Sequence, residues 1–275
     1  MTEKNDTKQL IDRLEATRNL SRDEWIRLIQ NRTADDADYL FERAQAVRTR
    51  HYGRSVYIRG LIEFTNYCKN NCYYCGIRRD NRNIERYRLT EKEILDCCAN
   101  GEKLGFRTFV LQGGEDPWYT EERIADIVRK IKKAHPDCVI TLSVGEKSKE
   151  TYQTWKEAGA DRYLLRHETA NEEHYRKLHP EKMSLAVRKN CLYDLKKLGY
   201  QVGAGMMVGS PYQMTEDLAE DLVFLKELQP EMVGIGPFIP HQDTPFAEEK
   251  AGTLEDTLRP VSYTHLRAHE TDSYL

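Results

Sequence analysis

Cys68, Cys72 and Cys75 share one short loop at spacing C-x3-C-x2-C. A loop of that length can curl three thiolates toward one point. Thiolate sulfur is a soft ligand, and the iron of iron–sulfur clusters prefers it. A 4Fe–4S cube held by three cysteines keeps one iron free for a substrate or cofactor, which is chemistry beyond plain electron transfer. A structural zinc ion is a second reading, but zinc takes four N/S ligands, often as two C-x2-C pairs, and no second pair follows. An iron–sulfur electron carrier is a third, and carriers usually close the cluster with four protein ligands. The other four cysteines, Cys97, Cys98, Cys138 and Cys191, fall in helix-like or strand-like runs and read as buried small apolar residues.

Further candidate residues follow along the chain. In Gln112-Gly113-Gly114-Glu115-Asp116 two glycines let a ligand approach the backbone, or simply make a tight turn. Thr141 and Ser143 share one strand face and line a polar cavity, unless they cap the next helix. Arg162, Arg166 and Glu168 alternate onto one face if their strand continues. Two guanidiniums grip a carboxylate or other anion, and a carboxylate accepts both hydroxyls of a ribose; an internal Arg–Glu pair is the plainer alternative. Arg188, on the following helix, can join that anion site. Met206 and Met207 beside glycines make a flat apolar wall on which adenine stacks, although core is the stronger reading for Met206. Around Ile235, backbone groups left free by Gly234, Gly236 and Pro237 can read a base edge. His167 reads as structural and His241 as a surface residue.

These residues need a frame. Ser21-Arg22-Asp23-Glu24 is a capping box, and the first fifty-odd residues read as helices. Strand patterns then alternate with helix patterns: Val56–Phe64, Thr108–Gln112, Cys138–Ser143, Arg162–Leu165, Gln201–Val208 and Met232–Ile235. Such alternation predicts an α/β fold of parallel β/α units curling toward a barrel, with the chemistry at the C-terminal ends of the strands. The division expected is a helical cap over 1–54, an incomplete barrel core over 55–260 and a tail over 261–275.

The chain has 275 residues, a formal net charge of −3 and 32% charged residues, with no basic block. That balance argues against nucleic acid as a main partner. The polar start carries no secretory signal, and no apolar run reaches membrane-spanning length, so a cytoplasmic setting is expected.

The cysteine loop, with Tyr74 just before the last cysteine, closely resembles the signature of radical S-adenosylmethionine (SAM) enzymes. Within them, Phe64–Ile77, Leu111–Asp116, Thr141–Glu146, Ala160–Asn171, Gly203–Val208 and Gly234–Pro245 resemble the FeFe-hydrogenase maturase HydE family, with biotin synthase and methylornithine synthase as near relatives. The resemblance implies a 4Fe–4S cluster on the three cysteines and SAM as cofactor, with Gly113, Gly114 and Glu115 holding its amino group. It places Tyr74, Thr141, Ser143, Arg162, Arg166, Glu168, Arg188, Met206 and Ile235 around the cofactor. It further implies reductive cleavage of SAM, a small iron–cysteine complex as substrate, a reductant such as ferredoxin or flavodoxin, and other maturases as partners. The family turn Gly-Leu-Pro-Gly-Gln-Thr is here Gly209-Ser210-Pro211-Tyr212-Gln213-Met214, which should alter it. The family barrel has eight strands and this chain shows six. Val261–Leu275 is unlike the family and looks like translated adapter sequence, so weak turnover and an exposed edge on strand six are expected. His265 and His269 carry no weight there.

Overall fold

The computed structural model describes residues 6–267. Three helices come first: α1 (Asp6–Thr17), α2 (Arg22–Gln30) and α3 (Ala34–Tyr52). The Ser21–Glu24 capping box is present, and Thr33 with Asp36 makes another. Each box fills amide donors that a helix start leaves open.

Six strands follow: β1 (Gly60–Thr65), β2 (Thr108–Gly113), β3 (Val139–Ser143), β4 (Arg162–Leu164), β5 (Gln201–Val208) and β6 (Met232–Pro237). All neighbours pair in parallel, in the order of the sequence. Helices α4 (Glu91–Lys103), α5 (Glu121–Ala134), α6 (Lys149–Ala158), α7 (Glu172–Leu178), α8 (Leu185–Lys197) and α9 (Thr215–Leu228) make the crossovers, and α10 (Leu254–Arg267) follows β6. The expected α/β architecture of six β/α units is therefore present as an open sheet. Among the described residues, β1 and β6 each have a single strand partner.

The sheet has two chemically different faces, because side chains alternate along a strand. Ile62, Phe64, Phe109, Leu111, Ile140, Leu142, Tyr163, Val202, Ala204 and Met206 all belong to the main buried core. The residues between them include Glu63, Gln112, Thr141, Ser143 and Arg162, so the other face is largely polar. There Gln112 Nε2 donates to Glu63 Oε1 at 3.1 Å.

Several expectations need correction. β1 begins at Gly60 rather than Val56, because the ladder starts with Gly60 opposite Phe109; Val56, Tyr57 and Ile58 lie before it and are exposed. β4 does not continue in phase to Glu168. Leu165 N–H donates to Gly203 O at 2.9 Å and Glu168 N–H to Gly205 O at 3.0 Å, so one strand advances three residues while its neighbour advances two. That is a bulge. Ser143 does not cap α6; Ser148 does. Cys97 is exposed, whereas Cys98, Cys138 and Cys191 are buried as expected. Tyr212 sits at φ 66°, a left-handed conformation that glycine adopts freely, so the turn keeps a glycine-like backbone.

Two helices were not foreseen. α7 is capped by Asn171, whose side chain accepts from His174 N–H. α10 includes Pro260 and buries Tyr263 and Leu266, with the Tyr263 ring 5.4 Å from that of Trp25 on α2. His269 lies outside the described residues.

Candidate active site

The cysteine loop leaves the end of β1 and is held against the loop after β2. Glu115 N–H donates to Cys68 Sγ at 3.4 Å, and Lys69 N–H returns a bond to Glu115 O at 2.9 Å. This contact requires glycine. A Cβ on Gly114 would stand 2.2 Å from Tyr67 O and 2.7 Å from Cys68 Cβ. One on Gly113 would stand 2.7 Å from Thr65 Cγ2. Asp116 fastens the two loops from beneath, accepting from Thr65 Oγ1 at 2.8 Å and from Arg88 Nε at 2.6 Å and Nη2 at 2.9 Å. On the far side, Tyr73 N–H donates to Leu178 O at 3.0 Å, which ties the loop to α7.

The three thiols lie within electrostatic reach of one another. Burial pushes Cys72 up to about 12, and Cys75 and Cys68 push the same way. Cys75 is raised by burial first, then by Cys68 and Glu168. Three cysteines on one loop with no second C-x2-C pair after them suit a multi-iron cluster better than a four-ligand zinc site. Thiols raised in this way stay protonated until a metal takes the proton's place.

Glu168 is the most unusual residue nearby. It is buried and stands at φ 67°, a conformation costly for a residue with a side chain and most often found at functional sites. Its Oε2 is buried with no hydrogen-bond partner, and so is Thr141 Oγ1. Glu168 acts electrostatically on Cys72, Tyr74 and Cys75, so it faces the cysteine loop. A buried acceptor left open toward the cysteine loop is what a cluster-bound, hydroxyl-bearing cofactor would complete. The residues present therefore fit both groups.

Two arginines frame this space. Arg166 lies across Gly234 and Gly236 and donates to Gly234 O from Nε at 3.1 Å and Nη2 at 3.0 Å. Arg188 Nη1 donates to Arg166 O at 3.2 Å, and its Nε pairs with Glu146 Oε1 at 2.6 Å. Burial works against the Arg188 charge, but Tyr175 and Glu146 hold it cationic. Burial in turn pushes the Glu146 carboxyl up, with Arg188 opposing. Tyr74 is fixed by His179. The His179 Nδ1–H donates to Tyr175 O at 3.0 Å, which leaves Nε2 to accept from Tyr74 Oη at 3.1 Å.

Not every candidate is brought together. Arg162 shares a register level with Thr141 and Gln201 and donates from Nε to Gln201 Oε1, so it lies within the sheet rather than at its rim. Met206 is fully buried in the core with Val202 and Ala204, on the helix-facing side. Met207 is the methionine that packs with Tyr73 and Tyr74. Ile235 also packs against the main core, so its side chain points away from the polar face. The Glu115 carboxylate is engaged by Glu146 N–H at 3.0 Å and Lys69 Nζ at 3.1 Å; the motif meets the cysteine loop through its backbone at Cys68 and through this carboxylate at Lys69. Sequence reasoning missed Glu146, His179, Arg86 and Met183, whose Sδ is 3.8 Å from Cys72 Sγ. None sits in a recognisable spacing. His167 is structural as expected, bonding Asp221 Oδ1 at 3.2 Å with both side chains fully buried. His241 reaches further than expected: a Cβ on Gly76 would lie 2.6 Å from its Cδ2.

A parallel β/α sheet carrying a three-cysteine loop at the end of its first strand defines a class, and the chain belongs to it: residues 62–225 match the radical SAM superfamily. Members of that superfamily use a 4Fe–4S cluster and SAM. Among relatives, the chain is 53% identical over 227 residues to the FeFe hydrogenase maturase subunit HydE of Thermotoga maritima, a match covering 82% of this chain and 64% of that protein. The chain thus spans under two thirds of the length of that relative. It is 30% identical over 249 residues to the 3-methylornithine synthase of Methanosarcina acetivorans, covering 90% of this chain and 70% of the other. The solved structure of methylornithine synthase (PylB) superposes with a TM-score of 0.85 at 29% identity, over 94% of this chain and 76% of that one.

Proposed function

We propose that the chain carries the catalytic core of a radical SAM enzyme of FeFe-hydrogenase maturation, of the HydE type. Cys68, Cys72 and Cys75 hold the 4Fe–4S cluster. When bound, the cluster supplies an electron for cleavage of SAM to methionine and a 5′-deoxyadenosyl radical. The chain's own residues bind and orient. The Gly113–Glu115 backbone takes the amino group of SAM, Glu168 accepts the ribose hydroxyls, and Thr141 and Ser143 add hydroxyl contacts. Arg166 and Arg188 balance the anionic end, and Tyr74 closes the loop side. Ile235 contributes through its backbone.

The observation that carries this reading is the unpartnered, buried Glu168 carboxylate oxygen facing the three-cysteine loop. The substrate proposed is a small iron–cysteine complex, and the setting cytoplasmic. Ferredoxin or flavodoxin serves as reductant, with other maturases as partners. The 30% identity to 3-methylornithine synthase supports a second reading with an amino acid substrate. Anaerobic iron–sulfur reconstitution tests the core of the proposal. A brown protein whose electron-spin signal changes on adding SAM, and which makes 5′-deoxyadenosine with dithionite, is the expected result. Cys72→Ala should abolish that product. A signal indifferent to SAM would make the protein an electron carrier instead.

A further inference from the structure

We propose that Arg86 is the positioning residue that closes the cysteine loop before any cluster is loaded, an inference that rests on the cluster-binding role of Cys68, Cys72 and Cys75. Its guanidinium sits where four main-chain carbonyls converge. Nη1 donates to Asn66 O and to Ile77 O at 2.9 Å, and Nη2 donates to Arg78 O at 2.6 Å and Asn81 O at 3.0 Å. Asn66 precedes Cys68, and the other three carbonyls follow Cys75. One side chain thus joins the entrance of the loop to its exit.

Arg86 is itself anchored to the fold. The segment carrying it runs antiparallel to the end of β1, through the bridge between Thr65 and Arg88. Leu89 N–H donates to Phe64 O at 2.8 Å and Tyr87 N–H to Asn66 Oδ1 at 2.8 Å, while Asn66 Nδ2 donates to Glu85 O at 2.7 Å. The sheet holds the segment, the segment holds the guanidinium, and the guanidinium holds both ends of the loop.

Arginine suits this position for a geometric reason. Its planar fork carries five N–H donors in fixed directions. Lysine offers three donors from a single point, and glutamine offers two. Neither can reach four carbonyls arranged around a plane, and each carbonyl left without a donor favours opening of the loop. Closing the loop in advance removes that ordering cost from cluster assembly.

The test uses the full chain in its apo form, with Arg86→Gln and Arg86→Lys. Iodoacetamide labelling under anaerobic conditions, followed by mass spectrometry, reads each cysteine separately. Exposed Cys97 is the reference and buried Cys98 reports general unfolding. Cys75 and Cys68 should label about tenfold faster in both variants while Cys98 stays protected. Iron retained after reconstitution should fall several-fold, and the electron-spin signal of the reduced cluster should broaden. Rescue by Arg86→Lys to the wild-type labelling rate would show that charge alone suffices, and would overturn the proposal. Unchanged labelling in Arg86→Gln would overturn it as well. If Arg86→Gln also exposes Cys98, the lysine variant decides by the same two rates. If Cys75 opens as expected but wild-type protein itself never takes up iron, loop closure stands and the cluster reading falls.

Discussion

Glu168 combines an expensive backbone with an open carboxylate, and the two can be separated by substitution. Glu168→Gly relieves the left-handed strain at φ 67°, so the apo protein should gain about 1 kcal/mol and a few degrees in Tm. The same change removes the ribose acceptor, so SAM affinity of the reconstituted protein should fall at least about tenfold by calorimetry. A stabilised protein with undiminished SAM binding would remove Glu168 from the site. Asp221 is a second residue with a calculable cost. Its Oδ1 accepts from Ala170 N–H at 2.5 Å and from His167 Nε2 at 3.2 Å, while His167 Nδ1 accepts from Gly205 N–H at 3.3 Å. Asp221→Ala leaves two buried donors unpaired and should cost about 2–4 kcal/mol in urea unfolding.

At the scale of elements, the pairing of the β1 and β2 loops is the feature on which the site depends. Gly114→Ala forces its Cβ into Tyr67 O, so the loops must part and Cys68 loses the Glu115 N–H. Hydrogen bonds to cluster sulfurs tune reduction potential. The expected outcome is lower iron content and a more negative midpoint potential in an electron-spin titration, with helix content unchanged by circular dichroism. Much of this scale was legible in the sequence. The thiol spacing, the glycine pair and the strand–helix alternation are local patterns, and the capping box at Ser21 marked a helix start to the residue. Core was already the stronger reading for Met206, whereas the face assignment of Ile235 was not legible in this way. It depends on strand phase relative to the core, and a run of glycines and apolar residues carries no alternation to reveal it. The bulge before Glu168 was hidden for a related reason: an extra residue in one ladder depends on its neighbour's register, not on its own composition. Arg86 escaped notice because its partners are carbonyls, which every residue has.

For the molecule as a whole, two buried histidines set the acid limit. Burial lowers His167 and His179 from 6.5 to about 3. The unfolded chain therefore binds more protons than the folded one between roughly pH 6.5 and 3, and stability falls as pH drops through that window. The His179 ring contributes a slope of about 1.4 kcal/mol per pH unit, while burial raises the Asp221 carboxyl beside His167 and offsets the slope of that ring. Urea midpoints should thus decline from pH 6.5 downward. His179→Gln should flatten the decline, and a midpoint that holds steady to pH 4 would refute it.

The division of the sheet into a greasy side and a wet side has an implication for how the chain tolerates change. Inserting a single residue between Val139 and Ile140 would rotate the rest of β3 by half a repeat. Ile140 and Leu142 would then point to the polar face, and Thr141 and Ser143 would be driven among the helices. Lengthening the connections outside the strands leaves that phase untouched, so evolution has latitude in the links and almost none within the five residues of β3.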